Sequence, residues 1–117
     1  MAPQLIALPA EEVWVLPLDS KSRLIGDARM VSRGCSDGAD ACPRTIMKLV
    51  LSSGASSFVL VHQHPSGDPE PSAADRAVTT RIAAAGRVCD VLLQDHVIVG
   101  SGGRFASLRR SDPELFR

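Results

Sequence analysis

Apolar and polar positions along the chain fall into short runs whose period switches between strand-like and helical. Val13 to Asp19 (VWVLPLD) is an apolar run rich in β-branched residues and predicts a strand. Pro17 within it points to an edge position or a bulge, because proline cannot donate to a ladder. Asp19-Ser20-Lys21-Ser22 is a turn-like polar tetrad. Arg23 to Ser32 predicts a second strand, joined to the first as a hairpin or meander. Gly34 to Cys42, with two Gly, two Asp and two Cys, predicts a loop. Pro43 then opens a helix at its first position, where the missing N–H costs nothing. Ile46, Met47, Leu49, Val50 and Leu51 give that helix an apolar face, and Gly54 stands where a C-terminal glycine cap belongs. Phe58 to Val61 is a continuous apolar run, the pattern of a strand buried on both faces.

Pro65 to Pro71 holds three prolines and predicts a stiff loop. Ser72 starts a second helix, and Ser72 with Asp75 has the spacing of a capping box. Ala74, Ala77, Val78, Ile82 and Ala85 supply its packing side, and Gly86 its end. Val88 to Leu93 and Val97 to Val99 predict two strands. Ser101-Gly102-Gly103 predicts a turn, and Phe105 to Leu108 a last strand. The order β-β-α-β-α-β-β indicates an α/β layer fold with a mixed sheet flanked by helices.

Length and composition narrow this further. At 117 residues and 12.4 kDa, one domain over residues 1–117 is expected. With three Phe, one Trp and no Tyr, the core must be filled by Val, Leu, Ile and Ala, and a nucleic-acid surface of stacked aromatics is not expected. Lys plus Arg (13) equals Asp plus Glu (13), which argues against holding phosphate backbones by bulk charge. Arg104, Arg109, Arg110 and Arg117 offer a local basic cluster, more simply read as a solvated tail. No stretch has the length of a membrane span, and Met1 to Ala10 lacks the basic and long apolar regions of a signal peptide. Cys35, Cys42 and Cys89 give no disulfide framework, which fits a reducing cytoplasm. Their spacing is wider than that of zinc ribbons, so they read as small buried or loop thiols.

The candidate chemistry sits at the end of the buried strand. The chain has three histidines, and His62 and His64 both lie there. A side-chain period of two sends both to one face, where they can grip one ion. Asp75 lies eleven positions after His64, in the first turn of the next helix, and the short stiff loop can bring it back. Two imidazoles and one carboxylate are a catalytic zinc set that leaves the fourth tetrahedral place for water. A His-x-His pair by itself is a weak signal, so a metal site and a surface accident both stand on residue chemistry alone. Zinc hydrolysis also needs a general base and a donor for the developing oxyanion. Ser72 is a candidate donor that doubles as a plain helix N-cap. Spacing does not choose a base among Glu11, Glu12, Asp68, Glu70 and Asp95.

The stretch H62-Q-H-P-S-G-D-P-E-P-S72-A-A-D75 resembles the JAMM (MPN) metalloprotease signature: His-x-His, seven residues, Ser, two residues, Asp. That stretch, the following RAVTTRIAAAG and D95-H-V-I-V-G100 resemble more closely the RadC branch of this family. E11-E-V-W-V-L-P-L-D19, V31-S-R-G34 and P43-R44 agree in the same order. The resemblance runs from about Glu11 to about Leu108. It implies a single MPN domain with a cytidine-deaminase-like fold. It further implies zinc ligands at His62, His64 and Asp75, a serine at Ser72 assisting the tetrahedral intermediate, and a general base at Glu11. Glu12 is the neighbour that a one-residue slip would substitute, and alternation along a strand lets only one of the two reach the metal. Asp95 and His96 match a motif of the branch, with a structural role through hydrogen bonds around the site as one expectation. Gln63 replaces the Asn usual in the branch, with its side chain expected to point away from the ligands. The resemblance covers the MPN domain and not the helix-hairpin-helix region that precedes it in full-length RadC proteins.

The expectation that follows is a zinc-dependent metallohydrolase of the JAMM type, cleaving peptide or isopeptide bonds through a zinc-bound water. Its substrate would be a protein or peptide, ubiquitin-like chains among the candidates, held along a sheet edge by β-augmentation. No strong nucleic-acid binding, no membrane association and a cytoplasmic location are expected. The oligomeric state is not specified. The alternative is a non-catalytic or DNA-repair-associated accessory module. A zinc deaminase is disfavoured because the Pro-Cys-x-x-Cys pair is missing, and a nuclease because several carboxylates for two metals are not assembled.

Overall fold

The computed structural model describes residues 12–31, 43–64 and 66–117. The elements are β1 (Glu12–Leu18), β2 (Arg29–Val31), α1 (Pro43–Ser52), β3 (Ser57–Gln63), α2 (Ala73–Val88), β4 (Leu92–Val99), β5 (Phe105–Ser107) and α3 (Leu108–Ser111), followed by a 3₁₀ turn at Pro113–Phe116. The five-stranded sheet runs β2-β1-β3-β4-β5. β1 is antiparallel to β2 and β3, β3 is parallel to β4, and β4 is antiparallel to β5. The mixed α/β sheet expected from the order of elements is present, and α2 is the crossover that a parallel pair requires.

Alternation sorts the two faces of the sheet. Val13 lies opposite His62, Val15 opposite Leu60, Leu60 opposite His96, and His62 opposite Ile98, so these side chains share one face. Ile46 and Val50 of α1 and Ile82 and Ala83 of α2 join Val13, Val15, Phe58, Leu60 and Ile98 in one buried cluster. Trp14, Leu16, Val59 and Val61 take the other face and stay half-buried. β3 is therefore fully buried on one face only, not on both.

Several expected elements are corrected. The strand expected over Arg23 to Ser32 shrinks to Arg29–Val31, with one isolated bridge from Leu24 to Leu18. Asp19 draws the chain into a turn by accepting the N–H groups of Lys21 and Arg23, and Gly26 bends it at φ 71°. Ser32 lies outside the described residues, as do Met1 to Glu11 and the expected loop at Gly34 to Cys42, Cys35 and Cys42 included. Cys89 is an exposed free thiol at the end of α2. Pro17 is not on an edge strand, since β1 lies between β2 and β3. It is tolerated because the β2 ladder stops at Val15, leaving no donor required there.

Gly86 does not end α2, which continues to Val88. It is instead a point of close approach: a Cβ there would stand 2.3 Å from the Val91 carbonyl oxygen. The packed side of α2 is Asp75, Thr79, Ile82, Ala83 and Gly86, while Ala74 and Ala77 are exposed. Leu51 of α1 is also exposed. The two strands expected at Val88 to Leu93 and Val97 to Val99 are one strand, Leu92–Val99, after a turn in which Asp90 takes φ 60°. Leu108 opens α3 rather than closing β5. No helix among the described residues is long and apolar enough to cross a membrane.

Candidate metal centre

β3 delivers His62 to the core face, 2% exposed, and ends one residue later. His64 follows at the strand's open end, its N–H donating to the Val99 carbonyl. The loop then returns to Ser72, whose extended backbone begins α2. The capping box expected from Ser72 and Asp75 forms in both directions. The Asp75 N–H donates to Ser72 Oγ at 3.0 Å, and the Ser72 N–H donates to Asp75 Oδ2 at 2.8 Å. The helix start thus fixes the carboxylate as well as the chain direction.

Around that carboxylate the two imidazoles converge. His62 Nδ1 stands 3.0 Å from Asp75 Oδ1, and His64 Nε2 stands 2.9 Å from Asp75 Oδ2. One ligand atom from each residue lies within 4.8 Å of the others, close enough to meet on one ion. Asp75 is 1% exposed, and its enclosed Oδ1 faces His62 Nδ1. Burial opposes ionisation of Asp75, but the His62 imidazole and the hydrogen bonds from Ser72 outweigh it. They hold the carboxyl well below the usual carboxylate range.

The hydrogen positions at the site leave room for a cation. His64 Nδ1 lies 2.9 Å from the Asp68 carbonyl oxygen, which only accepts, so Nδ1 carries the hydrogen. In the neutral ring, Nε2 is then a lone pair aimed at the ionised Asp75 Oδ2. Two lone pairs face each other at that contact, and a cation or an extra proton must lie between them. A ligating histidine whose other nitrogen donates to a backbone carbonyl is the usual arrangement at metal centres. The donor set N, N, O is one that zinc accepts, and the enclosed Oδ1 has capacity to spare.

The remaining candidates sort by face. Glu12 pairs with Gln63 on the face opposite His62, and its Oε1 accepts the Trp14 Nε1–H at 3.3 Å. Glu12 is therefore turned away from the two imidazoles. Glu11 lies outside the described residues. Asp68 and Glu70 are exposed on the loop, and the Asp68 carboxylate accepts the Glu70 N–H. Asp95 accepts from the His96 N–H, the Ser107 hydroxyl and the Arg109 N–H, which ties it into the β5–α3 corner. Gln63 is exposed and off the His62 face. Of the four C-terminal arginines, Arg104 donates to the Gly67 carbonyl and Arg109 lies over the Phe116 ring and donates to the Gln94 carbonyl. Those two are tied to the chain rather than free in a solvated tail.

Reading the sequence missed two contributors. The Asp68 carbonyl orients His64, and no residue type signals a backbone oxygen. Thr79 Oγ1 donates to the Asp75 carbonyl at 2.8 Å and meets His96 Nδ1 at 2.6 Å. Its position one helical turn after Asp75 was the available signal. Burial and the nearby His62 push the His96 pKa down to about 4, so it is neutral at neutral pH.

The model of the RadC-like JAB domain family matches residues 1–113. A UPF0758 protein of Symbiobacterium thermophilum is 39% identical over 103 residues, covering 88% of this chain and 44% of that protein. One from Rhodobacter capsulatus is 44% identical over 94 residues, covering 80% and 44%, respectively. One from Vibrio cholerae is 44% identical over 86 residues, covering 74% and 54%. The chain thus spans about half the length of the curated relatives it matches.

Proposed function

The chain belongs to the RadC-like JAB domain family, and we propose that it is a zinc-dependent hydrolase of peptide or isopeptide bonds in a protein substrate. The observation that carries the reading is the apposition of His64 Nε2 and the ionised, buried Asp75 across 2.9 Å, with His62 at 3.0 Å on the other oxygen. His62, His64 and Asp75 would hold the ion. A zinc ion held there would supply Lewis-acid polarisation of a carbonyl and a water of lowered pKa.

The chain's own groups supply the rest. Ser72 is exposed beside the carboxylate, and its oxygen is already accepting the Asp75 N–H, so its O–H is left to donate to the developing oxyanion. Glu11 is the base that takes a proton from the attacking water and passes it to the leaving amine. This assignment is supported by strand alternation: Val13 and Val15 share the His62 face, and Glu12 does not. A ubiquitin-like fusion is the first substrate to try, and an extended peptide along a sheet edge is the binding mode we favour.

The test pairs two isosteric variants on a fusion that the wild type cleaves. Glu11→Gln should keep the metal and lose roughly 10²–10⁴-fold in rate, the range of a lost proton-transfer group. Glu12→Gln should be near wild type. A dead Glu12→Gln with an active Glu11→Gln reverses the assignment, and full activity in both removes the JAMM-type mechanism with a glutamate base.

A further inference from the structure

His96 is the third histidine of the chain and lies outside the ligand set found among the described residues. It lies on β4 opposite Leu60, 2% exposed, on the apolar side of the sheet. A polar ring in that layer is costly unless its hydrogen bonds are made, and an aliphatic residue would pack there without that cost. What the ring touches explains its presence. Its plane lies 13° from that of His62, with centroids 5.9 Å apart. Its Nδ1 lies 2.6 Å from Thr79 Oγ1, and that hydroxyl lies 2.8 Å from the Asp75 carbonyl oxygen.

The hydrogens along this chain can be assigned. A carbonyl oxygen only accepts, so the single hydroxyl hydrogen of Thr79 goes to Asp75. Thr79 Oγ1 is then the acceptor for His96, and the ring nitrogen Nδ1 is the donor. The relay runs His96 Nδ1–H to Thr79 Oγ1–H to the Asp75 carbonyl, between groups no more than 2% exposed. It ties β4 to the first turn of α2 at the residue whose carboxylate sits between His62 and His64. The same ring flanks His62. One side chain thus contacts one imidazole directly and holds the backbone of the carboxylate through a single hydroxyl.

We propose that His96 and Thr79 are a positioning pair that fixes Asp75 and the His62 ring for metal binding, an inference that rests on the metal-centre reading above. Hydrogen-bonded partners of this kind typically set metal affinity within a factor of roughly 10–100. The pair is built from groups that never reach the ion, and it contributes by removing freedom from two of the three ligands.

The test uses cobalt(II) and zinc on the whole chain, with affinity measured by chelator competition. The cobalt absorption spectrum and the melting temperature of the metal-free protein are recorded alongside. Thr79→Val keeps the shape and removes the hydroxyl, Thr79→Ser restores it, and His96→Phe keeps a ring without the N–H. Thr79→Val and His96→Phe should each lose roughly 10–100-fold in affinity and shift the cobalt bands, while Thr79→Ser recovers both. If His96→Phe does not fold, the Thr79 pair decides. Wild-type affinity in Thr79→Val, or a loss that follows melting temperature alone without rescue by Thr79→Ser, overturns the positioning role and leaves the metal centre standing. A wild-type protein that takes up neither ion overturns the metal centre and this inference with it.

Discussion

Ser72 carries two tasks that substitution can separate. As N-cap its oxygen accepts the Asp75 N–H at 3.0 Å, and as proposed donor its hydrogen meets the oxyanion. Ser72→Ala removes both. Loss of an N-cap hydroxyl costs about 1 kcal/mol, which for a domain of this size lowers the melting temperature by about 4 °C. At room temperature such a change leaves a protein of ordinary stability almost wholly folded, so it accounts for almost none of a rate loss. Losing one oxyanion donor lowers kcat by roughly 10²–10³-fold. Ser72→Gly is the informative partner: glycine caps within a few tenths of a kcal/mol of serine but has no hydroxyl. Ser72→Thr retains both groups. The assay combines thermal unfolding with steady-state cleavage of a ubiquitin-like fusion that the wild type cleaves. Ser72→Gly should melt near the wild type and be as slow as Ser72→Ala, with Ser72→Thr close to wild type. A fully active Ser72→Gly would refute the donor role and leave Ser72 as a helix cap.

Three further outcomes follow from the structure. His96 has a pKa lowered to about 4 in the folded chain against an ordinary 6.5, so the unfolded chain binds its proton first. Stability of the metal-free protein should be full above pH 6.5 and fall as pH drops from 6.5 to about 4, a slope that His96→Phe should flatten in denaturant titrations. Duplex DNA at physiological salt should bind no more tightly than the non-specific range of about 10⁻⁴–10⁻⁶ M, since net charge is zero and two of the C-terminal arginines are tied to the chain; a sub-micromolar constant in a fluorescence titration would contradict this. Replacing Cys35, Cys42 and Cys89 together by Ser should leave metal content unchanged by elemental analysis, because the set that converges among the described residues is His62, His64 and Asp75.

What the sequence made legible is local. The capping box at Ser72 and Asp75, the proline start at Pro43 and the placement of His62 and His64 at the end of the central strand each depend on residues a few positions apart. They survived intact because local rules and the fold agree there. What it hid is carried by partners far along the chain. Gln94-Asp95-His96 breaks an apolar run and so split β4 in two. In the fold, Gln94 donates to the Ser57 hydroxyl, Asp95 accepts from Ser107 and His96 meets Thr79. Polar residues whose bonds are all made at a distance read as a gap when only neighbours are visible. The choice between Glu11 and Glu12 was likewise closed to spacing. The register of β1 against β3 turns Glu12 away from His62 and leaves Glu11 as the proposed base.

The central claim is one metal ion held by His62, His64 and Asp75. Elemental analysis of purified wild type and of His64→Ala tests it most directly. His64→Ala removes the lone pair that faces Asp75 Oδ2 and leaves the capping box in place. The expected result is about one zinc per chain in the wild type and about none in a folded His64→Ala protein. Equal zinc in the two proteins, whether high or absent, would contradict it.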